Sequence, residues 1–343
     1  MAPSSPGWRT IDLDRGDHGV RVDRVLLRHL RDQRSISRNR IQIWIAAGDV
    51  LVNGAPPSRA ACRVQAGDDV RVRVARLRPR TLPAAQAMDL EVLFEDDDVL
   101  ALNKPAGLVV HPSYKNISGT LMNGVLERAK AWPVGSRPGL LGRLDKQTSG
   151  VVLVAKRPEV HAALQRAMDA RRIDKDYVAV VWGRPTPARG TIDLALDRDP
   201  WDRRRITVTD RGGQPSVTKY ERLAVSGNPE GLPGFSLIRC RLITGRTHQI
   251  RVHLGARGWP IVGDAVYGRT RRTNSPPEGG DHNTGVSGTV AEMAHAFPRQ
   301  ALHAWRLSLR QPTTGAALDI VAPMPEDMRQ LARALGLPTV APA

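Results

Sequence analysis

This sequence has few cysteines and no long apolar segment, and both absences exclude classes of protein. Cys62 and Cys240 are the two cysteines among 343 residues, too few for the disulfide framework of a small secreted protein. They are expected to be buried thiols in a reducing compartment. No uninterrupted apolar run approaches the roughly 18 residues that a membrane-spanning helix needs, and the N-terminus has no basic and apolar leader. The sequence therefore predicts a soluble cytoplasmic protein, with a monomer as the default expectation.

Acidic residues are scarce relative to basic ones. The 34 Asp and Glu residues face 51 Lys and Arg residues, which leaves a formal net charge of +17. A surplus of this size favours a polyanionic partner, because phosphates neutralised by Lys and Arg release their counterions. Charged residues make up 25% of the chain, close to the average for globular proteins, so most of the chain should fold. A nucleic acid is the expected partner, and a membrane is not.

The charge is unevenly distributed, which locates a boundary between domains. Residues 1–80 contain sixteen Arg, no Lys and eight acidic residues, whereas residues 81–100 contain six acidic residues and no basic one. The stretch RLRPRTLPAAQAM at 76–88 has two prolines and no clear period, which is typical of a linker. Four segments are predicted: a first domain at 15–80, a linker at 81–88, a second domain at 89–325 and a C-terminal helix or tail at 326–343.

The first domain is predicted to hold two short helices followed by small strands. Apolar residues recur at helical spacing over 22–30, where Arg24, Arg28 and Arg31 would share one face. Ser37 is a suitable N-cap for the second helix. Two strands are predicted: VLV at 50–52 and VRVRV at 70–74.

This part of the chain resembles the S4 RNA-binding domain, over RVDRVLL at 21–27 and SRNRIQIWIAAGDVLVNG at 37–54. In that family, paired helices lay basic side chains on the RNA backbone. The resemblance implies an RNA-binding role for four arginines: Arg24, Arg28, Arg38 and Arg40. The alternative, for any one of them, is a solvated helix face without a ligand.

The second domain mixes strands with helices. Pro158 opens a predicted helix with Val160, Leu164 and Met168 on one face. This mixture indicates an α+β domain around a large sheet. The polar, Gly- and Pro-rich segment at 271–299 is predicted to be a long surface loop. Four strands are predicted: LEVLF at 90–94, VLALN at 99–103, GVVLVAK at 150–156 and YVAVVW at 177–182.

One loop is suited to holding a reactive carboxylate. The sequence PGLLGRLDKQTSG at 138–150 leads into a predicted buried strand and places Asp145 two residues after Arg143. Thr148 and Ser149 can tie such a loop to its own backbone. An aspartate in a turn of this composition is more often a turn cap than a catalyst, so local chemistry alone leaves both interpretations open.

A second basic stretch suggests an ion pair rather than a metal site. Thr247 is placed to cap a helix in which Arg251, one turn after His248, reaches a buried carboxylate. The spacing of His248 and His253 puts them on different helix faces, and no acidic residue lies nearby in the sequence to complete a metal site. The acidic run EDDD at 95–98 is expected to be a solvated turn. No metal is expected.

The stretch from about 90 to 325 resembles the catalytic domain of the RluA-type pseudouridine synthases. One departure is that Gly142 precedes Arg143 where the family usually has His, which bears on loop support or rate rather than on the reaction. Five agreeing segments occur in family order: NKPAGLVVHPS at 103–113, RLDKQTSGVVLVAK at 143–156, KDYVAVVWG at 175–183, TGRTHQIRVHLGARGWPIVGDAVYG at 244–268 and ALHAWRL at 301–307.

The resemblance implies an α+β fold with a large mixed, mainly antiparallel sheet flanked by helices. It implies that Asp145 is the nucleophile, that Arg251 ion-pairs with it, and that Tyr177 packs on the base and is a candidate for helping C5 lose its proton. Arg143 would help to hold the RNA helix open around the extruded nucleotide. Isomerisation of uridine needs no external donor, so no cofactor is expected.

The predicted function is site-specific conversion of uridine to pseudouridine in structured RNA. Large-subunit ribosomal RNA is the expected substrate, and tRNA is the alternative. Two other classes stay open: a non-catalytic RNA-binding or ribosome-assembly factor, and an N-glycoside hydrolase that uses the same carboxylate.

Overall fold

The chain divides into two compact units, residues 1–82 and 83–343. The structure is a computed structural model that describes these residues: 7–30, 36–73, 83–113, 116–202, 205–226, 234–268 and 288–340. Arg31 of the predicted arginine row lies outside the described residues. Among the described residues, no helix is long and apolar enough to cross a membrane.

The first unit is a small sheet packed on two helices. Its described elements are β1 (Trp8–Ile11), α1 (Val22–His29), α2 (Arg38–Ala46), β2 (Val50–Val52) and β3 (Val70–Arg73), with the strands in the antiparallel order β1-β3-β2. The apolar side of α1, including Val22 and Leu26, is buried against Ile41 of α2. Ser37 caps α2 as predicted, since its Oγ accepts the Arg40 N–H at 3.4 Å.

The second unit is built around one ten-stranded sheet. The strand order is β4-β5-β7-β14-β8-β13-β12-β9, with β15 beside β14 and β6 beside β7. The β7–β14 pair is parallel, and the other pairs of this sheet are antiparallel. The predicted large mixed, mainly antiparallel sheet is therefore confirmed. Its strands are β4 (Glu91–Glu95), β5 (Val99–Lys104), β6 (Gly139–Leu141), β7 (Ser149–Ala155), β8 (Asp174–Trp182), β9 (Arg189–Asp193), β12 (Val217–Val225), β13 (Phe235–Leu242), β14 (Leu302–Arg310) and β15 (Ala317–Val321).

Helices cover both faces of this sheet. Because side chains alternate along a strand, β7 is buried on two sides: Val151 and Leu153 pack with the α4 residue Leu164, whereas Val152 packs with the α3 residue Leu121. The remaining described elements are α3 (Leu121–Arg128), α4 (Pro158–Asp169), the hairpin strands β10 (Leu196–Arg198) and β11 (Ile206–Val208), α5 (Gln249–Ala256), α6 (Gly288–Ala296) and α7 (Glu326–Ala334).

Two segments outside the sheet differ from the sequence-based description. The predicted surface loop at 271–299 contains α6, whose Ala294 is buried in the main core; residues 271–287 lie outside the described part. The Gly and Pro residues of that stretch led to the prediction of a loop, although its end contains several good helix formers. Farther along, α7 buries Met328 and Leu331 in the same core, so this helix packs as part of the second unit.

The acidic run at 95–98 is only partly solvated, which corrects the expectation of a solvated turn. Asp98 is buried and accepts hydrogen bonds from Arg157 and Gln311. Glu95 accepts from Arg128 at the end of α3 and pairs with Lys156 at 2.8 Å. These acids therefore fasten a helix end and a strand end to the β4–β5 turn.

The parallel contact between β7 and β14 requires a glycine at position 150. Gly150 pairs with Ala304, has a φ of 114°, and would place a Cβ 2.1 Å from the Ala304 carbonyl oxygen. Backbone cannot move aside as a flexible side chain can, so the two strands would have to separate to admit a methyl group.

We expect Gly150→Ala to lower the free energy of unfolding by about 3 kcal/mol, because overpacking adds to an unfavourable φ. The measurement is urea-induced unfolding of the full chain. Gly135→Ala is the matched control, since Gly135 has a φ of 95° and nothing within 4 Å of its Cβ position, and should cost about 1 kcal/mol. Equal losses in the two variants would show that the close approach does not restrict this position.

Candidate active site

Four residues singled out in the sequence, Arg143, Asp145, Tyr177 and Arg251, line one cleft of the second unit, about 500 Å³ in volume. This volume is within the range of small-molecule sites. Arg143 and Asp145 lie on the loop between β6 and β7, which we call the aspartate loop (residues 142–148). Tyr177 lies on β8 and Arg251 on α5. The fold thus brings together side chains that are up to 108 residues apart in the chain.

A buried arginine joins two carboxylates at the base of the cleft. Arg251 donates from Nε and Nη2 to the two oxygens of Asp264, at 2.7 and 2.9 Å, and from Nη1 to Asp145 Oδ2, at 2.9 Å. Asp264 also accepts the backbone N–H groups of Val266 and Tyr267. The predicted pairing of Arg251 with a buried carboxylate is confirmed, and Asp264 is that carboxylate.

The electrostatics of this cluster keep its groups charged. Burial by itself would raise the pKa of Asp264, but the bonds from Arg251 and from two backbone N–H groups bring that pKa below its usual value. Burial would likewise lower the pKa of Arg251, and the carboxylates of Asp264 and Asp145 raise it instead. Because the guanidinium is held in its plane by Asp264, its third hydrogen bond has a fixed direction toward Asp145.

A buried lysine donates a hydrogen bond to the backbone of the aspartate loop. Lys104, at the end of β5, donates from Nζ to the carbonyl oxygens of Pro105, Leu108 and Lys146, at 2.8, 2.9 and 3.1 Å. The last of these is the residue after Asp145. Burial is the main cause that lowers the pKa of Lys104 to about 7, and the Arg299 charge acts in the same direction.

The C-terminal half of the aspartate loop is held by residues of β14 and of the segment that precedes it. Arg299 donates from Nη1 to the Gln147 carbonyl oxygen at 3.2 Å, and it is itself held by Asp327 of α7 at 2.6 and 2.9 Å. Ser149 Oγ lies 2.9 Å from His303 Nδ1. Two consecutive carbonyls of the aspartate loop, those of Lys146 and Gln147, are therefore held by side chains from distant parts of the sequence.

His248, not Thr247, occupies the N-cap of α5, which corrects the sequence-based assignment. His248 has a φ of 56° and caps no backbone N–H with its side chain. Its Nδ1 lies 2.9 Å from Tyr267 Oη, and its Nε2 lies 3.8 Å from Asp145 Oδ2. His253 lies elsewhere and contacts Thr218 Oγ1 at 3.0 Å. The two histidines thus have separate environments, as their spacing predicts.

Tyr177 is partly buried in the cleft, whereas Arg143 and Gly142 are exposed. Tyr177 is half-buried, and burial together with the Asp145 charge raises its pKa, so its phenol keeps its proton at neutral pH. Arg143 is exposed, and its charge helps burial to lower the pKa of His111. Gly142 has a φ of 80°, a conformation that glycine adopts without the strain that histidine would meet.

The four arginines of the first unit fall into two classes. Arg24 is exposed and Arg40 is half-buried. Arg28 pairs with Asp14 and Asp17 at 2.6 and 2.7 Å, and Arg38 donates from Nε to Asp23 Oδ2 at 3.0 Å. Ion pairs inside the unit thus engage two of the four.

Sequence reasoning missed Asp264, Lys104 and Tyr267. All three lie inside the segments that carry the family resemblance, and all three are buried. The available signal was therefore a polar residue of such a segment that the fold would have to bury.

Lys104 should make the stability of the protein depend on pH in a defined direction. The folded state releases the Lys104 proton near pH 7, whereas an unfolded lysine keeps it to about pH 10.4. Between these values the folded state binds fewer protons, so the contribution of Lys104 to stability rises with pH, by up to about 1.4 kcal/mol per pH unit. The stability of the wild type minus that of Lys104→Met should therefore grow from pH 6 to pH 9 in urea unfolding. A difference that stays constant over this range would contradict a lowered pKa.

Comparisons with known proteins agree with this geometry. The family model described as RNA pseudouridylate synthase matches residues 98–256. The chain is 39% identical over 317 residues to ribosomal large subunit pseudouridine synthase D of Xanthomonas campestris, covering 92% of this chain and 89% of that protein. It is 38% identical over 338 residues to the protein of the same name from Nitrosomonas europaea, with 97% and 90% covered.

Solved structures support the fold. The human protein RNA Pseudouridylate Synthase Domain Containing 4 superposes with a TM-score of 0.55 at 24% identity, over 71% of this chain and 92% of that chain. Human RNA Pseudouridylate Synthase Domain Containing 1 gives a TM-score of 0.53 at 24% identity, over 76% and 94%. The sequence relatives and the shared fold assign this chain to the RluA-type family of RNA pseudouridine synthases, and it is an enzyme of that family.

Proposed function

We propose that this enzyme converts uridine to pseudouridine in large-subunit ribosomal RNA, with Asp145 as the nucleophile. The observation that carries the proposal is the Asp145 carboxylate, held at 2.9 Å by a buried arginine inside a cleft large enough for a nucleotide. The ribosomal substrate rests on the names of the relatives from Xanthomonas campestris and Nitrosomonas europaea.

The geometry of Asp145 suits covalent catalysis. Arg251 takes Oδ2, and the described residues donate no hydrogen bond to Oδ1, which leaves that oxygen for the substrate. A carboxylate paired in this way has a fixed orientation, which covalent catalysis requires. Attack of the Asp145 carboxylate at C1′ of the ribose would break the C1′–N1 bond, form an ester and free the uracil anion to turn. C5 would then bond to C1′ and displace the carboxylate, and the proton lost from C5 is balanced by the one gained at N1. The steps that follow are internal to the nucleotide and need no external donor.

Tyr177 is suited to packing on the base. Its ring lines the same cleft as Asp145, and its raised pKa keeps the hydroxyl protonated. A protonated phenol donates a hydrogen bond but does not accept a proton at neutral pH. The structure therefore favours a stacking or hydrogen-bonding role over a role as the base that removes the C5 proton.

Arg143 is proposed to meet RNA at the cleft. A uridine stacked in a helix must leave the stack to react, which costs a few kcal/mol. The Arg143 guanidinium is exposed on the same loop as Asp145, and a charge there can occupy or brace the space that an extruded nucleotide leaves.

The first unit is proposed to be an S4-like RNA-binding module. Two short helices packed on a small sheet, with basic residues on the helices, fit the resemblance in the sequence. Arg24 is the strongest candidate for a phosphate contact because it is exposed. Arg28 and Arg38 would first have to leave their carboxylate partners.

The direct test is tritium release from RNA labelled at C5 of uridine. Asp145→Asn should lower the rate by about three orders of magnitude or more, since removal of a nucleophile leaves only binding and positioning. Asp97→Asn is the matched control, because Asp97 is an exposed aspartate of the β4–β5 turn and its loss should not change the rate. Activity in Asp145→Asn close to that of the wild type would exclude the proposed nucleophile.

The choice of RNA separates the remaining alternatives. Ribosomal RNA should release tritium and tRNA should not, whereas release from tRNA alone would overturn the proposed substrate. Free uracil among the products would indicate a glycoside hydrolase. If Asp145→Asn restored every phenotype of a deletion strain, the biological role would be RNA binding rather than catalysis.

A further inference from the structure

A histidine that the expected chemistry does not use lies beside the nucleophile. His248 is in the left-handed region of backbone space, with a φ of 56°, which is uncommon for any residue with a side chain. Strained backbone of this kind often occurs at functional sites, where neighbouring contacts stabilise it. Its ring lies in the cleft that holds Asp145 and Arg251.

The hydrogen bonds around His248 determine which ring nitrogen carries the proton. The backbone N–H of Ile206 donates to Tyr267 Oη at 2.9 Å, so the hydroxyl is an acceptor there. Its own single proton is then available for His248 Nδ1, also at 2.9 Å. If Nδ1 carried the ring proton, the hydroxyl would accept two bonds and its proton would have no acceptor among the described residues.

This arrangement leaves the other ring nitrogen as a donor. Burial lowers the pKa of His248, so the ring is neutral at neutral pH and has one proton, on Nε2. That nitrogen faces Asp145 Oδ2 at 3.8 Å, longer than a hydrogen bond. Contacts of this kind commonly shorten when substrate binds, and Oδ2 is the oxygen that Arg251 already holds.

We propose that His248 is a positioning residue for the nucleophile, with Tyr267 fixing its tautomer so that the Nε2–H donates to Asp145 Oδ2 when RNA is bound. With Arg251 and His248 both on Oδ2, the carboxylate has one rotational setting, and Oδ1 is directed at the nucleotide. The relay Ile206 N–H to Tyr267 to His248 to Asp145 connects the β10–β11 hairpin to the reacting group. This inference rests on the proposed function of Asp145.

Two substitutions of His248 separate the ring nitrogens. The amide nitrogen of Gln reaches the place of Nε2, and that of Asn reaches only the place of Nδ1. His248→Gln should keep kcat for tritium release within about twofold of the wild type, and His248→Asn should lower it about tenfold with KM unchanged, as expected for one lost hydrogen bond. Asn tolerates the left-handed conformation well, so a loss in His248→Asn is not a consequence of backbone strain.

Tyr267→Phe tests the relay, because it removes the hydroxyl and keeps the ring. As a single substitution it should lower kcat several-fold. In His248→Gln it should have no effect, since an amide has no tautomer to fix. Equal activity of the Gln and Asn variants, or an equal loss from Tyr267→Phe in both backgrounds, would overturn the proposal, because either result indicates a structural role alone.

A measurement without RNA distinguishes this proposal from the proposed function. In the nitrogen-15 NMR spectrum of the full-length protein, His248 should show a proton on Nε2 and an accepting Nδ1, and Tyr267→Phe should give a mixture of tautomers. A wild-type proton on Nδ1 would overturn the relay even in an active enzyme. An inactive wild-type protein with the expected spectrum would instead count against the function and leave the tautomer assignment standing.

Discussion

The Arg251 guanidinium is buried, and a buried charge is tolerated in a protein only when it is paired and hydrogen-bonded. Asp264 meets that condition on one edge with two hydrogen bonds, and is itself held by two backbone N–H groups. The free edge of the guanidinium then faces the cleft with one donor for Asp145. The position of Asp145 therefore depends on α5 and on the segment after it at least as much as on the loop that carries it.

Three features hold the aspartate loop where Asp145 can accept the hydrogen bond from Arg251. Lys104 binds the carbonyl of Lys146, Arg299 binds the carbonyl of Gln147, and Gly150 lets β7 approach β14 without a side chain between them. Each contact acts on backbone rather than on a side chain. The loop can thus differ in side chains, as at Gly142, and still present Asp145 to Arg251.

The sequence predicted elements with a clear local pattern. The strands near 99–104 and 149–155 and the helix from Pro158 were predicted because apolar period and helix-start signals are local. The sequence predicted that Arg251 pairs with a buried carboxylate, but it did not identify that carboxylate as Asp264. No local pattern tells which of 34 acidic residues folds against one arginine. The N-cap of α5 was missed for a related reason: an N-cap at positive φ lacks the usual side-chain signature.

Not all of the 51 Lys and Arg residues are free to bind phosphate. In the first unit at least five of the described arginines lie no more than 3.0 Å from an acidic oxygen: Arg21, Arg28, Arg38, Arg71 and Arg73. An exposed pair is worth at most about 1 kcal/mol, so its arginine can exchange a carboxylate for a phosphate at little cost.

Arg21, Arg28 and Arg38 differ from that case, because their partners Asp17 and Asp23 are buried. A buried carboxylate left without a cation has a desolvation cost that a phosphate contact elsewhere does not return, and Asp23 has two arginine partners. Arg38 joins α2 to α1 through Asp23, and Arg28 joins α1 to the segment at 14–17. Arg24, whose side chain is exposed, remains the proposed site of a phosphate contact.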